Sequence, residues 1–232
     1  MIFLRNKASE EDESHWLSVS DLMSGLMMVF LFIAVALMLK VSQDKGRIEE
    51  VAVSYQQNQV AIYDALMTEF SKDLERWDAE IDKDSLTFVF KSPDVLFGEG
   101  KADLASRYKQ LLDDFFPRYL NVLWQFRDSI SEVRIEGHTS SRWNQVTDTT
   151  AYFNNMQLSQ DRTRAVLNYV YLLPSVESRR DWIKQHIAAV GLSSSHVMLD
   201  EQGQENPIAS RRVTLRVITN ADVQMRKILE MQ

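Results

Sequence analysis

From Leu17 to Leu39 the chain is almost continuously apolar, LSVSDLMSGLMMVFLFIAVALML, and Asp21 is the one charge within it. At 1.5 Å of rise per residue this stretch makes a helix of about 34 Å, enough to cross a hydrocarbon layer of about 30 Å. Trp16 stands at one edge as an interfacial aromatic, and Lys40 at the other can snorkel. A cleaved secretory signal would begin basic and end in a small-residue cleavage site. Here Glu10, Glu11, Asp12 and Glu13 precede the apolar run, and Ala34-Val35-Ala36 lies inside it. The pattern predicts a retained membrane span over residues 16–40 behind a leader of residues 1–15.

Beyond the span the periodicity changes twice. Val41, Ile48, Tyr55 and Ile62 fall at heptad spacing with no proline among residues 41–82, which predicts a linker helix. Such a helix would pair weakly with a twin, because Gln56, Gln57, Asn58 and Gln59 interrupt the seam, or would serve as a solvated spacer. After Asp82 strands and helices alternate. Strands are expected at Leu86–Phe90, at Val95–Phe97 with a turn at Gly98 and Gly100, at Ile130–Gly137, at Val197–Leu199 and at Val213–Ile218. Helices are expected over 101–128, kinked or divided at Pro117, over Leu158–Leu172 with Ser159 as cap, and over Ser178–Val190 ending at Gly191. Strands separated by helices predict an α+β chain, with an α/β sandwich on a small mixed sheet over residues 83–220 and a tail at 221–232.

Composition removes several function classes. The 232 residues carry a formal charge of −7, so no domain-wide basic field invites nucleic acid. The absence of cysteine removes disulfides, thiolate metal sites, thiol nucleophiles and a cysteine-borne lipid anchor. His15, His138, His186 and His196 show no metal-ligand spacing. With no nucleophile–base pair either, an enzyme is not expected, nor a bound cofactor.

Asp21 is the chemically unusual residue. It lies about 6 Å of helix rise inside the expected boundary. An ionised Asp at a helix centre costs about 2.5–3.5 kcal/mol to insert, and somewhat less near the interface. A carboxylate in that position suits a relay that alternates between protonated and ionised forms, and Ser18, Ser20 and Ser24 are near enough in sequence to share a proton or cation with it. Asp21, Gly25, Met28 and Phe32 share one helix face, and Ser24 and Gly25 are small enough for close approach of a second helix. The plainer alternative is an acid that snorkels or bonds a partner helix during assembly. Lysine and arginine counts do not orient the span, since Arg5 and Lys7 face Lys40, Lys45 and Arg47 across it. A short leader ahead of about 190 following residues favours a cytoplasmic N-terminus and a C-terminal domain outside the inner membrane.

The residues from Asp21 to Phe32, DLMSGLMMVFLF, resemble the transmembrane signature of MotB-like stator subunits. Three further motifs resemble the OmpA-like peptidoglycan-binding family. They are Ile135-Glu-Gly-His-Thr139, Asn155-Met-Gln-Leu158-Ser159-Gln-Asp161-Arg162 and Ser210-Arg211-Arg212-Val213, in family order across residues 83–220. The first resemblance implies that Asp21, helped by Ser24, carries translocated H⁺ or Na⁺. It also implies a homodimer surrounded by a multi-span MotA-like ring, expected to be five-fold. The second implies a site for the diaminopimelate stem of peptidoglycan formed by Thr139, Asn155, Leu158 and Arg162, with Arg162 meeting a ligand carboxylate. Arg211 and Arg212 are expected to anchor their strand to acids, and His138 to be a hydrogen-bonded strand-end residue. The family's Asp after His-Thr is Ser140 here; Asp148, in a longer loop, is the candidate replacement.

The acidic leader and the helix running straight out of the span look more like the ZorB-type subunits of Zorya anti-phage systems than flagellar MotB. That likeness implies a ZorA-type partner. A flagellar stator role and a passive tether between inner membrane and wall stay open as alternatives at this level.

Overall fold

The computed structural model describes residues 5–91, 96–98, 100–143, 146–223 and 226, with side chains described at residue 16 and from residue 19 onward. The leader's side chains and Val95 therefore lie outside the described residues. The chain divides into two compact units, residues 1–50 and 51–232.

The first unit consists of the N-terminal portion of one helix, α1 (Arg5–Phe70). Its apolar side chains are exposed on every side, Leu22, Phe32 and Met38 at 73%, 74% and 75%. A surface so apolar around the whole circumference is satisfied by lipid, not water. Among the described residues this is the one helix long and apolar enough to cross a membrane.

In the second unit, the remaining part of α1 leads to β1 (Ala79–Asp82), β2 (Thr87–Phe90), α2 (Ser106–Gln125), β3 (Ile130–His138) and α3 (Asp148–Tyr171). A 3₁₀ turn at Pro174–Arg179 follows, then α4 (Arg180–His186), β4 (Ile187–Ser193), the single turn α5 (Pro207–Ser210) and β5 (Arg212–Thr219). The five strands form one mixed sheet in the order β1-β2-β5-β3-β4. All neighbours are antiparallel except β3 and β4, which are parallel because α3 and α4 intervene as a crossover. The α+β class and the small mixed sheet are as the pattern predicts.

The expected linker helix over 41–82 is corrected in two ways. α1 stops at Phe70, and residues 79–82 are a strand. Ile62, Leu66 and Phe70, spaced four apart on one helical face, are fully buried in the core, so this portion belongs to the folded domain rather than to a spacer. Gln59, which would break a coiled-coil seam, donates instead to the carbonyls of Lys83 and Asp84 at 2.8 and 2.7 Å, tying the helix to the β1–β2 turn. Phe70 then packs with Phe88 and Phe115 at ring separations of 5.5 and 5.2 Å, joining α1, β2 and α2.

Other boundaries shift for local reasons. Pro117 sits inside an unbroken α2, where burial of Phe115, Phe116, Tyr119 and Leu120 on the sheet outweighs one lost backbone hydrogen bond. α3 begins ten residues before the expected Leu158, because Thr147 caps it by accepting from the Thr150 amide. The expected helix over Ser178–Val190 ends at His186, and Gly191 lies within parallel strand β4. A Cβ there would run into the backbone of Gln160 on α3, so glycine marks close helix–strand packing and not a helix stop. Val197–Leu199 forms no strand beyond one isolated bridge between Leu199 and Glu205.

Candidate functional site

The chemistry-bearing residues converge where β3 ends. Alternation along β3 sends His138 to the open face of the sheet and Thr139 to the helical side, and the Thr139 amide donates to the Ser193 carbonyl at 2.9 Å. The α3 helix supplies Asn155, Leu158 and Arg162 from one face, and the turn after β3 supplies Ser140 and Arg142. Thr139, Asn155, Leu158 and Arg162, the four positions singled out in the sequence, all line a single cavity of about 300 Å³.

Close packing fixes α3 against the sheet. A Cβ on Gly137 would lie 2.8 Å from the Ser159 carbonyl oxygen, so only glycine lets the helix come this near β3. Ser159, expected as a helix cap, is fully buried in mid-helix. Its hydroxyl donates to the Met156 carbonyl at 2.9 Å and accepts from the Ser193 amide at 3.1 Å. Ser193 adopts a φ of 50° at the end of β4, and its own hydroxyl donates to the Tyr152 carbonyl at 2.9 Å. These bonds set the height of Asn155 and Leu158 relative to the strand end.

Arg162 is buried, and much of its guanidinium is engaged by the chain itself. Nε donates to the Lys101 carbonyl at 2.9 Å, Nη2 reaches the Gly98 carbonyl at 3.4 Å, and the guanidinium carbon lies 4.9 Å from the Phe97 ring centre. It therefore holds the 98–101 turn beside the cavity as well as lining it. Asn155 Nδ2 donates to the Arg142 carbonyl at 3.4 Å, linking α3 to the turn after β3. Thr139 Oγ1 is buried with no hydrogen-bond partner among the described residues, a cost of about 1–3 kcal/mol that a ligand group could remove.

Arg211, expected to anchor its strand, lines the cavity. Arg212 does anchor, donating to the carbonyls of His196 and Ser210. The alternation of side chains along a strand separates these neighbours, and that signal is present in the sequence. The segment before them is held in place by Asn206, which accepts from the Ile208 and Ala209 amides at 3.1 Å, and by Ser210, whose hydroxyl accepts from the Met198 amide at 2.9 Å. Asp148 does not replace the missing family acid at the cavity: it is exposed in the first turn of α3. Glu205 on the adjoining loop accepts from both the amide and the hydroxyl of Ser141.

On the open face, His138 Nε2 lies 3.7 Å from Glu136 Oε2 and 3.5 Å from Thr214 Oγ1, as expected of a strand-end residue in a polar cluster. Burial pushes the His138 pKa down, against the opposing pull of Glu136. No group of three potential metal donors occurs among the described residues searched. In the first unit, Asp21 is exposed on α1, Ser24 Oγ donates to the Ser20 carbonyl at 2.8 Å, and the space around Gly25 is open.

Comparison with known proteins now places the chain. Over 222 residues it is 56% identical to the Zorya protein ZorB of Escherichia coli (strain Crooks), covering 95% of this chain and 94% of that one. The chain belongs to the ZorB family. No family model matches it. Among solved structures, this ZorB-family chain is similar to a putative MotB-like protein from Desulfovibrio vulgaris, with 19% identity, coverage of 73% and 94%, and a TM-score of 0.47. It is also similar to the cell wall anchor of the T6SS from Pseudomonas aeruginosa, with 20% identity, coverage of 67% and 97%, and a TM-score of 0.45.

Proposed function

We propose that this chain is the wall-anchored, ion-carrying subunit of an ion-driven inner-membrane motor serving anti-phage defence. The observation that carries the reading is the convergence of Thr139, Asn155, Leu158 and Arg162 on one cavity in a chain whose separate N-terminal unit presents an acid on an exposed apolar helix. In this reading the C-terminal domain lies in the periplasm and grips peptidoglycan. Arg211 and Arg142 receive ligand carboxylate, while Arg162 shapes the pocket and holds its neighbouring turn. Membership of the ZorB family favours the defence role over the flagellar one.

Asp21 takes up H⁺ or Na⁺ from one side and releases it to the other, with Ser24 beside it on the helix. One span encloses no pore, so a multi-span ZorA-type ring around a dimer of this chain supplies the remaining walls. Ion entry makes about 2.3 kcal/mol available per charge per 100 mV. Wall attachment gives that work a fixed point to act against.

The test uses two variants of the full chain with its membrane partner. Asp21→Asn should assemble and reach the membrane yet abolish ion flux and protection from phage; retained protection would reduce the span to a tether. Arg211→Ala should lower co-sedimentation of the solubilised chain with purified sacculi, and wild-type retention by that variant would reject the cavity as the wall site.

A further inference from the structure

The turn after β3 carries Thr139, Ser140, Arg142 and Trp143 to the cavity, yet residues 139–142 belong to no helix or strand. What holds this turn comes from elsewhere in the chain. The Thr139 amide is tied to the Ser193 carbonyl at 2.9 Å, and the Arg142 carbonyl accepts a long bond of 3.4 Å from Asn155. Between these two points sits Glu205, 64 residues from Ser141 along the chain. One of its carboxylate oxygens accepts the Ser141 amide proton at 2.8 Å, and the other accepts the Ser141 hydroxyl proton. Bonds to a charged acceptor are stronger than bonds between neutral groups. Glu205 is delivered by a hairpin that supports itself. Asp200 Oδ1 accepts from the amides of Gln202 and Gln204 at 3.0 and 2.9 Å, and the Asp200 amide donates to the Gln204 carbonyl at 2.8 Å. The Asn206 amide closes the hairpin by donating to the Met198 carbonyl at 2.8 Å. Glu205 is not among the described residues that line the cavity, whereas Pro207, two residues on, is.

Resting on the wall-binding reading above, we propose that Glu205 is a positioning residue of the cavity, clasping Ser141 so that Arg142 and Trp143 stay presented to the ligand, without touching the ligand itself. Solvent exposure decides what the clasp can contribute. Ser141 is exposed and Glu205 half-buried, so water replaces either bond at small cost and the fold gains little stability from the pair. The placement of the turn is more sensitive. Released from the clasp, Ser141 and Arg142 sample many backbone conformations, and each binding event bears the entropy of ordering them. The role asks for length and hydrogen bonding, not for net charge. A glutamine at this position can accept the Ser141 amide proton through its carbonyl and donate its NH₂ to the Ser141 oxygen. A residue that met a ligand ammonium directly would need the charge itself.

The experiment is co-sedimentation of the full-length chain, purified in detergent, with a concentration series of purified sacculi, alongside the melting temperature of each variant. Glu205→Ala should bind about tenfold more weakly, the scale of one charge-assisted hydrogen bond. Its melting temperature should fall by no more than about 4 °C. Glu205→Gln should bind as the wild type does. Ser141→Ala should weaken binding on its own and add nothing to Glu205→Ala, because both substitutions break one contact. Wild-type binding by Glu205→Ala, or additive losses in the double variant, would overturn the inference while leaving wall binding intact. An equal loss in Glu205→Gln and Glu205→Ala would overturn it too, since that pattern marks a charge in contact with ligand. So would a Glu205→Ala chain that melts below the assay temperature, which would make the clasp a fold contact. Failure of the wild type to sediment with sacculi would overturn the wall-binding assignment itself.

Discussion

The hydroxyl of Ser159 accepts the amide proton of Ser193 at 3.1 Å, fastening the middle of α3 to the end of β4 inside the core. Replacing Ser159 by alanine leaves a buried N–H unsatisfied and should cost about 1–3 kcal/mol. Denaturant unfolding checks this. Because Asn155 and Leu158 ride on the same turn of helix, sacculus binding should weaken in parallel at temperatures where the variant is still folded.

Gly191→Ala tests the close packing of α3 on β4. The new Cβ meets the backbone amide of Gln160 at 2.5 Å, so the helix or strand must move. A loss of about 1–3 kcal/mol or more is expected, and thermal melting measures it. By contrast, Gly203→Ala, with φ +74° but open space around it, should cost about 1 kcal/mol through backbone strain alone.

The buried end of α1 sets where a stable soluble fragment can begin. Phe70 is fully buried against Phe88 and Phe115, so Phe70→Ala should cost about 3–5 kcal/mol. A fragment starting at residue 83 lacks Ile62, Leu66, Phe70 and strand β1, and should be unfolded by circular dichroism. One starting at residue 51 should fold, and the comparison settles the domain boundary.

Tyr108 and Tyr119 are fully buried with hydroxyls that have no hydrogen-bond partner among the described residues. Removing each hydroxyl relieves a desolvation cost, so Tyr108→Phe and Tyr119→Phe should each stabilise the domain by about 1 kcal/mol. A fall in melting temperature in both variants would show that the hydroxyls are satisfied in solution.

His138 gives a pH dependence whose direction follows from its burial. In the unfolded chain it takes up a proton near its ordinary pKa of 6.5, whereas burial in the fold resists that protonation. The unfolded state therefore binds more protons just below that pH, and stability should fall as pH drops through about 6.5. The limiting slope for one such group is about 1.4 kcal/mol per pH unit. His138→Gln should flatten the slope, as measured by urea unfolding between pH 7.5 and 5.5.

The long apolar helix, the mixed sheet and the four cavity residues are legible because each leaves a local mark in the sequence. Leu17–Leu39 is apolar over a bilayer's length, Val133 and Ile135 alternate, and Asn155, Leu158 and Arg162 fall on one face of a helix. What the sequence conceals depends on partners distant along the chain. Ile62 and Phe70 look like part of a solvated linker until β2 and α2 are known to cover them. Gly191 reads as a helix stop until Gln160 is found pressed against it. Pro117 suggests a break, but the aromatic face of α2 is worth more than the hydrogen bond it removes. Arg211 is a different case, since strand alternation alone distinguishes it from Arg212.

Those adjacent arginines also limit how the protein can diversify. Because Asn206 caps α5 and Ser210 is tied to Met198, the single turn between them sets the rotational phase in which β5 begins. Inserting one residue between Asn206 and Arg211 would swing Arg212 toward the cavity and retire Arg211 to the opposite face. Length changes in relatives should therefore accumulate ahead of Asn206, around Asp200 to Gln204, while the spacing from Asn206 to Arg212 stays constant.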